Sequence, residues 1–388
     1  MRILVVQNAY QQRGGEDSAV AAEIELLRNR GHEVRLHGRH NDELRTMPVL
    51  AAAADTLWSR RTVRDMAAAM SDFAPQVIHA HNTFPLISPS LYWAAANARV
   101  PVVQTLHNFR LLCPQGIFLR RGGVCEDCLG GVPWAAIRHR CYRDSLPQTL
   151  ALSTMLVSHR ALGTYRSKVT RYIALNEFCR RRFIQGGLPA EKIVTKPNFA
   201  PDSALATSPR RGGLFVGRLA HEKGVDILLG ALEIQPGYGV DIVGSGPLAD
   251  AVAAHRSTRC LGWLDRDGVS SRMAAAAYLL MPSICYESFS MVIVEAFASG
   301  LPVIASRLGT MAEIVEHERT GLLFEPGSAA ALAAAIRWAE ANPDAMRAMG
   351  QNARREYESK YTPETNYRQL MAIYADALAA CHSEEDVR

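Results

Sequence analysis

The chain has 388 residues, too many for one compact core of ordinary size and suited to two domains of about 150 to 200 residues. Hydrophobic residues make up 48% and charged residues 21%, which excludes long disorder, and no run reaches the roughly 18 uninterrupted apolar residues of a membrane span. The net charge of +5 is uneven: residues 1–200 hold 26 Lys and Arg against 15 Asp and Glu, whereas residues 201–388 hold 17 against 23, so the first half is basic and the second mildly acidic. No zinc-finger or helix-turn-helix spacing accompanies the basic residues and no aromatic residues interleave them, which disfavours nucleic acid as a partner. The opening Met1-Arg2-Ile3-Leu4-Val5-Val6 is too short for a secretion signal, so a cytoplasmic protein with reduced cysteines is expected.

In chain order, Arg2 to Val6 reads as a buried strand, Gln7 to Gly15 as a polar loop, Glu16 to Asn29 as an amphipathic helix closed by Gly31, and His32 to Leu36 as the next strand. This β-α-β unit opens a doubly wound α/β domain. It carries no G-x-G-x-x-G, which disfavours a dinucleotide dehydrogenase. Gly14-Gly15 lets the backbone approach a ligand at a helix N-terminus. Residues 43 to 72 are Ala-rich helices with Arg60 and Arg61 exposed. Val77 to Asn82 and Val102 to Asn108 are strands running into loops, and they place His79, His81 and His107 near strand C-terminal ends, where ligands bind in open α/β sheets. His79 and His81 are expected to be structural.

The loop after His107 holds Cys113, Cys125, Cys128 and Cys141, spaced C-x11-C-x2-C-x12-C in a Gly- and Arg-rich stretch with little core of its own. Reduced cysteines around a CxxC point to a structural zinc that replaces a missing core, with incidental thiols or an iron–sulfur cluster as the other readings. A helix from Leu146 to Gly163, a strand from Lys168 to Ala174, a basic helix from Glu177 to Phe183 and a strand from Ile193 to Phe199 complete the first domain, residues 1–200. Pro201 to Gly212 is the linker.

The second domain, residues 213–361, opens with the strand Leu214 to Gly217, the loop Arg218-Leu219-Ala220-His221-Glu222-Lys223-Gly224 and a helix from Val225 to Leu232. Arg218 can grip phosphate oxygens with its fork, and Lys223 adds a point charge. Val240 to Pro247 is a strand and glycine turn containing Gly244 and Gly246, and Cys260 to Leu264 is another strand end. The apolar run Ala277 to Met281, ended by Pro282, is a buried strand; Tyr286-Glu287-Ser288-Phe289-Ser290 is a loop; and Met291 to Ala298 is a helix. The N–H groups of Ser290, Met291 and Val292 are then the unpaired donors of a first turn, a seat for phosphate. Glu287 before that seat and Glu295 about one and a half turns into the helix can accept hydrogen bonds from sugar hydroxyls. The stretch suggests a nucleotide-sugar site: phosphate on the helix end, hexose on one carboxylate and ribose on the other. Gly300 to Ala305 and Thr320 to Phe324 are further strands, with helices from Ala329 onward; residues 362–388 carry the last helix, expected to return to the first domain.

Glu287 to Glu295 resembles the E-x7-E motif of the retaining glycosyltransferases of family 4. The resemblance extends to G-R-L-x-x-E-K-G at Gly217 to Gly224, V-G-x-G-P at Val243 to Pro247, and Leu106-His107-Asn108. Order and spacing agree from Val5 to about Tyr374, with Ser290, Ser245 and Leu308 departing from the commoner residues of the motifs. The resemblance implies the GT-B fold, two Rossmann-like α/β domains facing across a cleft, with the donor held by the second and the acceptor by the first. It implies that Arg218, Lys223, Glu287 and His107 are catalytic, with His107 touching the donor sugar. Gly15, Gly217, Gly244, Gly246, Leu261, Ser288, Phe289, Ser290, Met291, Val292 and Glu295 are implied to bind the donor, with the backbone at Leu261 meeting the base.

The implied reaction is retaining transfer of a hexose-type sugar from a UDP- or GDP-sugar. The acceptor is expected to be a lipid-linked or cell-surface glycan precursor, of the polysaccharide or lipopolysaccharide type. Fixed cations and amides stabilise the leaving phosphate, so no catalytic divalent metal is required. The basic first half fits peripheral contact with the anionic inner face of a membrane. Two other classes stay open: a nucleotide-sugar epimerase or hydrolase of the same architecture, which consumes donor without acceptor, and a non-catalytic nucleotide-sugar-binding protein, which has no need of Arg218, Lys223 and both glutamates together.

Overall fold

The apolar runs of the sequence become strands buried on both faces, the form parallel sheets take because crossover helices cover them. The computed structural model describes residues 1–11, 14–203, 205 and 209–383, and it divides into two units. The first takes Met1–Ile117, Glu126–Pro197 and the segment from Asn366 onward; the second takes Phe118–Cys125 and Asn198–Thr365. Residues 204 and 206–208 of the expected linker lie outside the described residues.

The first unit is built on β1 (Arg2–Ala9), β2 (Glu33–His40), β3 (Val77–Asn82) and β4 (Val102–Thr105). After the short antiparallel hairpin of β5 (Leu119–Arg120) and β6 (Gly123–Val124), which groups with the second unit, β7 (Arg171–Ala174) and β8 (Ile193–Thr195) complete it. The sheet order is β2-β1-β3-β4-β7-β8, all parallel. Ile3, Val5, Val77, Val103 and Ile173 share one face with Val20, Ile24 and Leu27 of the helix Gly15–Asn29. Leu370, Ile373, Tyr374 and Ala377 of the last helix, Pro363–Ser383, cover the same face. β1 and β2 run longer than the sequence suggests because they pair without interruption from Arg2 opposite Glu33 to Ala9 opposite His40. β4 is shorter, stopping at Thr105, which leaves His107 in the loop.

The second unit repeats the plan with β9 (Gly213–Val216), β10 (Val240–Val243), β11 (Thr258–Gly262), β12 (Tyr278–Met281), β13 (Val303–Ser306) and β14 (Gly321–Phe324), in the order β11-β10-β9-β12-β13-β14. Side chains alternate with the period of two that a strand imposes. Leu214, Leu279, Met281, Val303 and Ala305 pack with the helix Met291–Ala298, while Phe215, Tyr278, Leu280 and Ile304 pack with the helices Val225–Ile234 and Ala329–Ala341.

Each sheet has a switch point, between β1 and β3 in the first and between β9 and β12 in the second, where successive connections leave in opposite directions. Crevices at the carboxyl ends of strands beside such points are where open α/β sheets bind ligands. Among the described residues, no helix is long and apolar enough to cross a membrane. The stretch after His107 has more core than its composition suggests: Phe109, Leu112, Phe118 and Ala136 are buried, as are Cys113 and Cys128, while Cys125 and Cys141 are partly exposed.

Candidate functional site

In the second unit the switch point gathers three loops. After β9 the chain runs through Gly217 and Arg218 to a tight turn, His221–Lys223, closed by Gly224 at φ +68°. A Cβ on Gly224 would lie 1.9 Å from the Pro282 carbonyl oxygen at the end of β12. Only glycine permits this approach, and the Ile284 N–H donating to the Glu222 carbonyl at 3.1 Å fastens it. The result is contact between Lys223 and Glu287: Nζ donates to Oε1 at 2.6 Å, and the Ser283 hydroxyl donates to the same oxygen at 2.9 Å. The two side chains are 27% and 13% exposed, so the pair is partly screened. Burial alone would depress the Lys223 ammonium, but the charge of Glu287 and its hydrogen bond outweigh it and hold the pKa above the ordinary value. Burial and Glu287 together push the Cys285 thiol up to about 12, so it is no nucleophile at neutral pH. Arg218 is exposed and ion-paired with Glu222.

The turn after β10 carries Gly244 and Gly246, tied to the β9 loop by the Gly217 N–H on the Val243 carbonyl and the Leu219 N–H on the Ser245 carbonyl. Leu261 lies near the end of β11, where the Gly262 carbonyl accepts from the Gly244 N–H at 2.8 Å. The helix Met291–Ala298 begins at Ser290, whose side chain makes no capping bond. Phe289 just before it packs edge-on against Tyr361 at 6.3 Å, and the Ser288 carbonyl faces the Thr310 hydroxyl at 3.5 Å. Glu295 is raised above the usual carboxylate range by burial, against the opposing charge of Arg266. Two further features join this unit. The hairpin places Phe118 edge-on to Tyr286 at 5.8 Å, directly before Glu287. An Asp-x-Asp triplet, Asp265-Arg266-Asp267, holds Asp265 as a helix cap, its Oδ1 accepting from the Gly268 N–H at 2.9 Å.

In the first unit, Gly15 opens the helix Gly15–Asn29, and Asp17 accepts from the Gly14 N–H at 3.0 Å. His107, after β4, is buried, and its Nε2 lies 2.9 Å from His81 Nδ1. Behind them stand His79, Glu23 and Lys196, all buried. His79 and His81 are therefore not isolated structural histidines; they join His107 to a buried carboxylate. Beside His107, Asn108 donates to the Tyr10 hydroxyl at 3.2 Å and to Glu16 at 3.4 Å, and Arg110 reaches the same hydroxyl at 3.4 Å. Burial pushes the Glu16 carboxyl up to about 7, with Arg110 opposing.

Two families match. "Glycosyl transferase 4-like domain" matches residues 14–198 and "Glycosyl transferases group 1" matches residues 207–356. The chain thus joins a segment similar to the glycosyl transferase 4-like domain to one similar to the glycosyl transferases group 1 family. The group 1 segment contains Arg218, Lys223, Glu287 and Glu295, and the 4-like segment contains Gly15, His107 and all four cysteines of the insertion. A glycogen synthase of Mycobacterium tuberculosis is 33% identical over 186 residues, covering 44% of this chain and 45% of its own. A phosphatidyl-myo-inositol mannosyltransferase of Mycobacterium leprae is 30% identical over 251 residues, covering 60% and 65%. The chain thus spans less than two thirds of the length of these curated relatives. Among solved structures, sucrose-phosphate synthase of Thermosynechococcus elongatus has a TM-score of 0.72 at 20% identity, covering 98% of this chain and 99% of that one. Anabaena HepE in complex with UDP has a TM-score of 0.67 at 20% identity, covering 97% and 100%. The fold is GT-B, with two Rossmann-like units each built on a parallel sheet.

Proposed function

We propose that this chain is a retaining glycosyltransferase of family 4 that moves a hexose-type sugar from a UDP- or GDP-sugar to a glycan or lipid-linked acceptor. The observation that carries the reading is the Lys223–Glu287 pair at the β9/β12 switch point, beside a helix whose N-terminus has no side-chain cap. In this reading the helix amides from Ser290 to Val292, with Lys223 and Arg218, take the diphosphate, Arg218 exchanging Glu222 for phosphate oxygens. Negative charge grows on the leaving phosphate during transfer, and cations fixed beforehand stabilise it without reorganising. With Arg218 and Lys223 stabilising that charge, the proposed chemistry needs no divalent metal. Glu287 orients the hexose hydroxyls and Glu295 the ribose, the backbone around Leu261 meets the base, and His107 contacts the donor sugar. The HepE structures hold UDP and UDP-glucose, which favours a UDP-sugar here.

Two attachments to this reading rest on the first half of the chain. The helices Val49–Leu57, Trp134–Arg138 and Leu146–Ala161 pack on one another and expose Leu50, Trp134 and Leu150, which with the basic excess supports peripheral contact with an anionic membrane at its cytoplasmic face, where a lipid-linked polysaccharide or lipopolysaccharide precursor would be met. The donor set of Cys113, Cys125, Cys128 and Cys141 suits a structural zinc, with Cys125 and Cys128 following the hairpin as a C-x2-C turn.

The test is release of nucleoside diphosphate from a panel of UDP-, GDP- and ADP-sugars, without acceptor and with a membrane lipid extract. Donor-selective release that rises with the extract and falls in Arg218→Ala and Glu287→Ala is expected. No release from any donor, together with no thermal stabilisation by any nucleotide at saturation, overturns the reading.

A further inference from the structure

β4 is buried along its whole length, and its Val103 shares a face of the sheet with Ile3 and Val5 against the helix Gly15–Asn29. The period of two therefore turns Gln104 toward the opposite layer. There Gln104 is 5% exposed; its Oε1 accepts from the Tyr92 hydroxyl at 2.8 Å, while its Nε2 makes no hydrogen bond among the described residues. A bare amide donor in a protein interior is costly, and water or a ligand has to supply its partner. Gln104 lines a cavity of about 40 Å³ at the carboxyl ends of β3 and β4, together with Phe84, His107, Arg110, Met155 and Tyr165, all of the first unit. At roughly 10 to 15 Å³ for each water-sized group, the cavity seats about three.

Arg110 brings the second bare donor, since its Nε is buried without a partner among the described residues. The guanidinium lies over the rings of Phe84 and Tyr142, 5.0 and 6.0 Å from their centroids, and its Nη1 reaches the Tyr10 hydroxyl at 3.4 Å. Ring contacts hold a guanidinium by its faces and leave the N–H bonds, which lie in its plane, for other partners. Glu16 makes no ion pair with it: Oε2 accepts from Tyr10 at 3.1 Å and from Asn108 at 3.4 Å. Burial raises that carboxyl to about 7, so at neutral pH it offsets the charge of Arg110 only in part. The amides nearby are already engaged. Asn82 donates to the Asn8 carbonyl at 3.1 Å and accepts from the Phe84 N–H at 3.0 Å, and Asn108 Oδ1 accepts from the Arg110 N–H at 3.0 Å. The unused groups of Gln104 and Arg110 are thus both donors, and one belongs to a cation. A hydroxyl could accept from them but would bring no charge and a hydrogen of its own to place. A carboxylate accepts from both and supplies the charge.

We propose that this cavity binds a carboxylate, held by Gln104 Nε2 and the Arg110 guanidinium, and that the glycan acceptor carries it as an acidic sugar of the uronate class. The carboxylate of a uronate stands one bond outside the sugar ring, so a cavity for about three atoms takes the carboxylate and leaves the ring outside. The carboxyl ends of β3 and β4 are also where an open α/β sheet receives a ligand. The acceptor role rests on the transfer reading given above; the carboxylate site does not.

The test is titration of the full chain with methyl β-D-glucuronide and with methyl β-D-glucoside, which differ in carboxylate against hydroxymethyl. The arginine Nε–H resonances in ¹H–¹⁵N spectra report it, that of Arg110 being assigned by its loss in Arg110→Lys. The glucuronide should shift this resonance saturably and bind at least about tenfold tighter than the glucoside. Gln104→Glu keeps an oxygen for Tyr92 and puts a second oxygen where the NH₂ group stood, so it should weaken the glucuronide about tenfold or more at an unchanged melting temperature. Equal binding of the two glycosides, an Arg110 resonance unmoved up to about 50 mM glucuronide, or a folded Gln104→Glu that binds as the native chain does overturns the proposal. The native titration decides by itself if the variant does not fold. Inorganic phosphate displacing the glucuronide more tightly than acetate does would assign the cavity to a phosphate and overturn the carboxylate. With the donor chosen from the nucleotide-sugar panel, the glucuronide should alter nucleoside diphosphate release, as acceptor or as competitor of the lipid extract; binding without either effect overturns the acceptor role. A chain that binds the glucuronide through Arg110 yet releases nothing from any donor keeps the site and loses only the transfer reading.

Discussion

The Lys223–Glu287 pair makes two opposite demands, and substituting each partner separates them. In Lys223→Met the cation is lost. If Lys223 makes one charge-assisted hydrogen bond to the diphosphate, its removal should cost about 1.5 to 3 kcal/mol, or roughly 10- to 150-fold in affinity for the nucleoside diphosphate. In Glu287→Gln a carboxylate that repels phosphate is removed and Lys223 is released from its 2.6 Å bond, so nucleotide affinity should stay within about threefold or tighten, while sugar transfer falls by about 10² or more. The pair also contributes stability. Breaking a fully buried pair costs about 3 to 5 kcal/mol and an exposed one at most about 1; with the side chains 27% and 13% exposed, a coupling of about 1 to 2 kcal/mol is expected. Because the Lys223 pKa is raised, this contribution is complete below the ordinary lysine value and is lost only as pH climbs through the raised one, so it is flat across neutrality. Calorimetric titration of nucleoside diphosphate and a denaturant double-mutant cycle of the two single variants and the double variant measure both quantities. Glu287→Gln weakening nucleotide binding as much as Lys223→Met, or a coupling below about 0.5 kcal/mol, would refute the reasoning.

Gly224→Ala and Gly262→Ala test the close approach that creates this pair. Both glycines have φ near +68°, which costs an L-residue about 1 to 2 kcal/mol, but a Cβ meets nothing within 4 Å at Gly262 and a backbone carbonyl at 1.9 Å at Gly224. Unfolding midpoints should show Gly262→Ala mildly destabilised and Gly224→Ala several kcal/mol worse; equal losses would mean that the loop relaxes freely. Glu16 supplies a pH test. Its carboxyl is raised to about 7 in the folded state against 4.5 for a solvent-exposed glutamate, so the folded chain holds a proton that the unfolded chain has lost between those values. Stability should fall as pH rises from about 4.5 to 7, and Glu16→Gln, which mimics the protonated form, should show a shallower fall in melting temperature across that window. Parallel curves for the two proteins would remove Glu16 from the account.

Much of the second unit can be read from the sequence because its constraints are local. Apolar runs of four to six residues such as Ala277 to Met281 must be buried strands, Pro282 must end one, and glycines at Gly217, Gly224, Gly244 and Gly246 mark loops where backbone meets backbone. Spacing alone also puts Glu287 before a helix start. What spacing does not supply is the partner across the switch point. That Lys223 meets Glu287, and that Ser283 shares the same oxygen, follows from the adjacency of β9 and β12, strands some 60 residues apart. The hairpin of Phe118 to Cys125 was harder still. Its two-residue strands carry no periodic signal, and its grouping with the second unit depends on contacts such as Phe118 on Tyr286, made across more than 160 residues of chain.

Glu23 shows a different kind of legibility, one that lies in a violated pattern. The helix Gly15–Asn29 buries Val20, Ile24 and Leu27, and the helical period puts residue 23 on that same stripe. A carboxylate at a stripe position has either to snorkel to water or to find buried partners. Glu23 is too short and too far inside its helix to reach solvent, so the sequence alone demands a buried cation or donors near it. His79 and Lys196 answer that demand, the first from β3 and the second from the residue just past β8. The demand is readable from one helix; the answer is fixed only by the sheet order, which sets His79 on β3 beside β1 and brings the Lys196 N–H onto the Ala174 carbonyl. A charge misplaced by the hydrophobic period is thus the sequence signal for the group behind His107, and Glu23→Leu, which restores the stripe, tests whether the site or the fold requires it. Loss of turnover in a variant as stable as the native chain would assign the charge to function, whereas a large loss of stability, with Lys196 left unpaired, would assign it to the core.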